Sequence, residues 1–208
     1  MKRAGGVMMK KVVWIMVHLC LCAVFLAGCG EAKVPDVIQA PTVAVAKEGT
    51  VEVWLLGDFD KNYYSVSELS DMALEEAGRF NAAKQKDSAV QVKKVEAVSD
   101  VRVMVSYGFD SCASCEEFLE GQLFFGTVGE AMEKGFSMDV ILRGVSDGAL
   151  FTETQLQQAK DKYLIITDMK ANIYCPRAVT HISNDAVENQ DGSINPSMVE
   201  GPVYILLK

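Results

Sequence analysis

An apolar run that stops at one cysteine decides which part of this 208-residue chain is left to fold. Lys2, Arg3, Lys10 and Lys11 precede the run from Val12 to Leu26, and Ala27, Gly28 and Cys29 close it. A basic start, an apolar middle and a small-residue processing site are the three parts of an export signal. The run is short of the roughly 20 residues that a helix needs to cross a bilayer. No stop-transfer pattern follows it, so a signal is the better reading than a permanent membrane anchor.

Leu26-Ala27-Gly28-Cys29 also has the form of a lipobox: an aliphatic residue, two small ones and a cysteine. The small residues fit a narrow peptidase cleft, and the Cys29 thiol is the nucleophile that takes up a diacylglyceryl group. One acyl chain holds a protein only marginally at about 0.8 kcal/mol per buried CH₂, whereas two hold it stably. The expectation is a signal peptide over residues 1–28, lipidation at Cys29, and a location on the extracytoplasmic face of the cell membrane. Met9-Lys10-Lys11 is a sufficient basic start by itself, so translation from Met1 or from Met9 gives the same product.

Removal of residues 1–28 leaves 180 residues, enough for one domain with a real core. The signal holds four of the 20 basic residues and none of the 28 acidic ones, so the mature chain carries a net charge of −12. Such a balance argues against nucleic acid and against a basic face on anionic lipid. Cys20 and Cys22 leave with the signal, and Cys112, Cys115 and Cys175 remain beside lipidated Cys29. Three is an odd number, so no complete disulfide framework is available. Loss of His18 leaves His181 as the one histidine, which excludes any site built on two.

Residues 29–49, with Pro35 and Pro41 among small and polar residues, read as the lipidated cysteine and a tether. The domain is expected over 50–208. Residues 50–57 read as a strand, and Ser65-x-x-Glu68 as a capping box opening a helix to about Lys84. Val66, Leu69, Ala73, Ala77 and Phe80 make one apolar stripe along it. Strands over 89–97 and 101–107 form an antiparallel hairpin, with a slip in alternation at Lys93-Lys94 that suggests a bulge.

Short helices are expected at 113–120 and 127–134 around an apolar Gln122–Phe125 segment, then a strand at 138–143 and a helix at 152–161. Residues 163–166 and 203–207 are apolar on both faces and read as central or covered strands. Shorter strands are expected at 171–174 and 178–183, and a surface loop over 184–200. The order implies an α+β fold, a mainly antiparallel sheet covered by helices, in one domain.

Cys112-Ala113-Ser114-Cys115 is the sharpest chemical motif. A CxxC pair at a helix start is where a redox centre sits, because the helix N-terminus stabilises a thiolate. Against that reading, Ser111 precedes the pair, Glu116 and Glu117 follow it, and no basic residue flanks it. Ser114-x-x-Glu117 also reads as a capping box, which would leave Cys112 in the loop before the helix. A redox pair, an inert local disulfide and ordinary thiols all remain open.

Cys112, Cys115, Cys175 and His181 are four residues of zinc-binding type, but the Cys175-x5-His181 spacing exceeds the usual second pair. An oxidising exterior also works against free thiolates, so no metal is expected. Asp58-x-Asp60-x-Asn62 imitates the start of a calcium loop; the sixth and twelfth positions are then Tyr63 and Leu69 where glycine and glutamate are needed. The chain has no phosphate-binding loop. No cofactor is expected.

Several features together resemble a group of uncharacterised lipoproteins of Gram-positive anaerobes. They are the lipobox, the Pro-containing tether, Asp58-Phe59-Asp60-Lys61-Asn62-Tyr63-Tyr64 entering a helix, Phe125-Gly126-Thr127-Val128 before Glu130-Ala131, and Tyr204-Ile205-Leu206. The resemblance implies a location and a domain type but no reaction, and it implies that the cysteine pair is peculiar to this chain. The functional expectation is a membrane-anchored, non-catalytic domain that binds a small ligand or an envelope protein. The alternative is an envelope thiol-disulfide oxidoreductase using Cys112 and Cys115.

Overall fold

The computed structural model describes residues 33–61, 63–196 and 198–208, so the expected signal and Cys29 lie outside the described residues. The first half runs β1 (Thr42–Val45), β2 (Val51–Asp58), α1 (Val66–Lys84), β3 (Val90–Ser99), β4 (Arg102–Phe109), α2 (Cys112–Leu119), β5 (Leu123–Thr127) and α3 (Val128–Glu133). The second runs β6 (Leu142–Gly144), β7 (Leu150–Phe151), α4 (Glu153–Gln158), β8 (Tyr163–Thr167), β9 (Asn172–Tyr174), β10 (Val179–Ser183), β11 (Val187–Glu188), β12 (Ile194–Asn195) and β13 (Val203–Leu207). One sheet has the order β11-β12-β9-β1-β2-β4-β3, and the other has the order β5-β8-β13-β10-β6-β7. Among the described residues only β1 with β9 is a parallel pair. The expected α+β class with antiparallel pairing is therefore present, divided between two sheets rather than one.

The two-sided apolar strands account for this layering. All five residues of β13 are buried between β8 and β10. Val203, Ile205 and Leu207 face a core shared with Val43, Val51, Val53 and Ile173 of the seven-stranded sheet. Tyr204 and Leu206 point the other way, into a second core with Val128 and Ala131 of α3 and Leu156 of α4. Side chains alternate across a strand, so a strand sandwiched between layers must be apolar at every position.

Helix α1 starts where Ser65 Oγ accepts from the Glu68 N–H at 3.3 Å. Ala73 and Ala77 are its buried residues, with Leu69 and Phe80 packed against the same core. The β3–β4 register shifts between Val92 and Lys94, where the expected bulge lies.

Several boundaries differ from expectation. The tether assigned to 29–49 contains β1, whose Val43 and Val45 are buried between β2 and β9, so the domain begins before residue 50. The loop assigned to 184–200 carries β11 and β12, and Ile194 is fully buried against Ile173. Leu123–Phe125 of the apolar segment lies in a strand, β5, and the strand expected from residue 138 begins at Leu142. Among the described residues no helix is long and apolar enough to cross a membrane.

Candidate functional site

The sequence Asp110-Ser111-Cys112 places the cysteine pair by a local network. Ser111 caps α2 by accepting from the Ser114 N–H at 3.1 Å. Ser114 Oγ donates to Asp110 Oδ1 at 2.6 Å, and Lys86 Nζ donates to Asp110 Oδ2 at 2.7 Å. Burial opposes ionisation of Asp110, but the hydrogen bonds from Lys86, Ser114 and Ser111 outweigh it and lower its pKa. Cys112 is thus the first residue of the helix. The capping box read at Ser114-x-x-Glu117, with Cys112 outside the helix, does not form; Glu117 pairs with Lys84 instead.

A helix start ordinarily depresses a thiol pKa. Here burial dominates, Glu116 adds a like charge, and Lys134 only partly opposes them, so the Cys112 thiol is pushed up to about 12. Cys115 is fully buried; burial first, then Cys112 and Glu116, push it to about 12 as well. Both cysteines are free thiols. The strand leading into the pair, β4, is antiparallel to both its neighbours, unlike the parallel sheet on which thioredoxin-type redox helices rest.

The other candidate residues are scattered. Cys175, buried after β9, has its thiol raised to about 12 by burial and then by Glu188. His181 lies in β10 with its ring 4.7 Å from that of Phe151. Burial lowers its pKa against the opposing pull of Asp147, and its Nδ1 is buried without a hydrogen-bond partner. Among the described residues no three His, Cys, Asp or Glu side chains group as a metal site. Asp58 ends β2, Asp60 pairs with Lys61 at 2.8 Å, and Asn62 lies outside the described residues.

Around Cys112 the fold builds a cleft of about 490 Å³ that sequence reasoning did not anticipate. One wall is Glu48 and Gly49 of the β1–β2 turn, and another is the N-terminal half of α2 with Cys112, Ala113 and Glu116. The floor is Leu123, Phe124 and Phe125 of the edge strand β5, and Phe136 and Lys134 close the far side. Gly49 takes φ +83°, a conformation that favours glycine and lets the turn fold back tightly. The Cys112 Sγ lies 3.7 Å from the Gly49 carbonyl oxygen.

Phe124 and Phe136 rings meet at 5.1 Å, and Lys134 Nζ stands 5.3 Å from the Phe124 ring centre. Glu116 has a raised pKa, from burial and then from Asp168, with Lys134 acting the other way. The Phe125-Gly126-Thr127 segment is tight for a physical reason. A Cβ on Gly126 would come within 2.7 Å of Phe124 Cζ and 2.8 Å of Glu130 Oε2, the carboxylate that caps α3 through the Thr127 N–H. The cleft draws on four separated stretches of chain, and only the stretch with the cysteine pair carried a motif of chemical meaning.

A second polar cluster holds the β11–β12 hairpin. Tyr174 donates from its hydroxyl to Asp191 at 2.6 Å, and Ser193 donates to Asp191 from Oγ at 2.7 Å and from N–H at 3.0 Å. Asn189 Nδ2 donates to Ser193 Oγ at 2.9 Å. These bonds close the turn against β9. Compared with models of known protein families, with curated proteins and with solved structures, the chain gave no match.

Proposed function

We infer that this chain is a lipoprotein of the extracytoplasmic membrane face, held through Cys29, whose domain binds a small ligand or an envelope partner without covalent chemistry. The group it resembles, the uncharacterised lipoproteins of Gram-positive anaerobes, supplies the same location. The observation that carries the binding reading is the aromatic-floored cleft with Glu48, Glu116 and Lys134 around it. Apolar lining with a few charged groups is the usual composition of a reversible binding site. Cys112, in its wall, is held as a thiol, the wrong protonation state for a nucleophile. The mature charge of −12 supports a self-repelling domain with no affinity for nucleic acid.

Two measurements test the reading. Metabolic labelling with an alkyne fatty acid should mark the wild-type chain and not Cys29→Ala; a label that survives the substitution sinks the anchor. In an insulin-reduction assay the protein should add nothing to the rate given by dithiothreitol alone. Turnover that disappears in Cys112→Ser would instead establish the thiol-disulfide oxidoreductase.

A further inference from the structure

The path by which the chain enters the domain decides what the cleft faces. Arg102 Nη1 donates to the Gln39 carbonyl oxygen at 3.4 Å, and Arg102 is paired with Asp58 at the far end of β2. Val34, five residues earlier, sits in a hollow with Ala44, Ala46, Thr50, Glu52 and Pro176. Residues 34–39 therefore run the length of β2, starting beside the β1–β2 turn and ending at its far end. That turn is closed by the Ala46 N–H on the Thr50 oxygen at 2.9 Å and the Gly49 N–H on the Ala46 oxygen at 3.0 Å. Its Ala46 and Thr50 side flanks Val34, and its Glu48 and Gly49 side walls the aromatic cleft.

Only four residues separate Cys29 from Val34, and the five steps between them, at 3.3–3.6 Å each, span at most about 18 Å. With Cys29 lipidated, the bilayer interface lies within that reach of the turn, on the end of the domain where the cleft opens. The charges around the cleft then choose among membrane molecules. Glu48 and Glu116 are carboxylates and Lys134 is an ammonium, so a purely anionic headgroup meets more repulsion than attraction, and a zwitterion finds a partner for each charge. The volume, about 490 Å³, falls in the range of small-ligand sites, roughly 300–1,000 Å³. That is room for one chain rather than a two-chain lipid.

We propose that the cleft receives a zwitterionic single-chain amphiphile from the membrane, of the lysophosphatidylethanolamine class. Its chain lies on Phe125 and Phe136, its phosphate meets Lys134, and its ammonium meets Glu48 and Glu116. The proposal rests on the anchor reading and adds to it the chemistry of the ligand.

Cys112 gives the test a reporter, because it lines the cleft while Cys115 and Cys175 are buried at 0% and 7% exposure. The membrane-extracted mature protein is placed in phosphatidylcholine vesicles, alone or doped with lysophosphatidylethanolamine or lysophosphatidylglycerol. Modification of Cys112 by a methanethiosulfonate reagent is then followed by mass spectrometry. Lysophosphatidylethanolamine should slow modification severalfold, and lysophosphatidylglycerol less.

Ala113→Trp, which fills the cleft from an exposed helix position, should abolish the response. Lys134→Glu, also exposed, should abolish it without filling the cleft. Rates indifferent to both lipids, equal protection by both, or an unchanged response in the two variants would overturn the proposal. The mass of the Cys29 peptide from the same samples separates the readings. Lipid on Cys29 with no protection leaves the anchor standing and removes the ligand, and a bare Cys29 removes both.

Discussion

Thiol–disulfide exchange at Cys112 measures directly whether the cleft wall is a resting surface or a redox centre. Its pKa is pushed from 9.0 to about 12. Only the thiolate attacks a disulfide, and three pKa units leave about a thousandfold less of it at neutral pH. A more basic thiolate is also a better nucleophile, and a Brønsted slope of about 0.4–0.5 returns roughly twentyfold of that loss. The net expectation is exchange with a small aromatic disulfide about fiftyfold slower than for an unperturbed cysteine at pH 7. The rate should keep climbing beyond pH 10 without a plateau. Glu116→Gln removes a secondary cause and should speed the reaction only modestly, because burial is the larger one. Absorbance of the released thiol gives the rate, and peptide mass locates the site. A plateau at or below the free value of about 8.5, or exchange faster than that of free cysteine, would refute the reasoning.

Ile194→Ala should cost about 2–5 kcal/mol in urea unfolding, since Ile194 is fully buried despite its polar surroundings in sequence. A loss below about 1 kcal/mol would mean that β12 does not hold the sheet edge. Gly126→Ala should destabilise by about 1–3 kcal/mol through overpacking against Phe124 and Glu130, and a neutral result would contradict that crowding. Hydrogen bonds from Tyr174 and Ser193 lower the Asp191 pKa below 3.8. The stability they supply is therefore present above the unfolded pKa and lost as pH falls through the folded value. Asp191→Asn should flatten the decline of the urea midpoint between neutral pH and about pH 3, and parallel curves for the two proteins would count against this linkage.

The elements that could be read from sequence are those in which several local signals agree. Ser65, Glu68 and the stripe from Val66 to Phe80 all specify α1, and Tyr204-Ile205-Leu206 shows its two-sided burial in composition alone. The misread elements depend on partners far away in the chain. β1 has four residues and follows two prolines, and its burial comes from β9, more than a hundred residues later. β11 and β12 have two residues each, too few for any alternation, and are made into strands by Ile173 and the Asp191 network. The cleft was hidden for the same reason. Glu48, Phe124 and Lys134 are unremarkable in their own segments, and only the meeting of the β1–β2 turn with β5 and α2 brings them together.

The position of β13 carries a consequence for how the chain reaches its final state. The six-stranded sheet is split at its middle until Val203–Leu207 arrives, because β8 and β10 pair with β13 and not with each other. Both cores lack a wall before that moment. A polypeptide threaded through a membrane from its N-terminus would remain unable to close its sheet until residues near Leu207 had crossed. If the chain is exported as proposed, such late closure would keep it loose during transfer and let it collapse only on the far side.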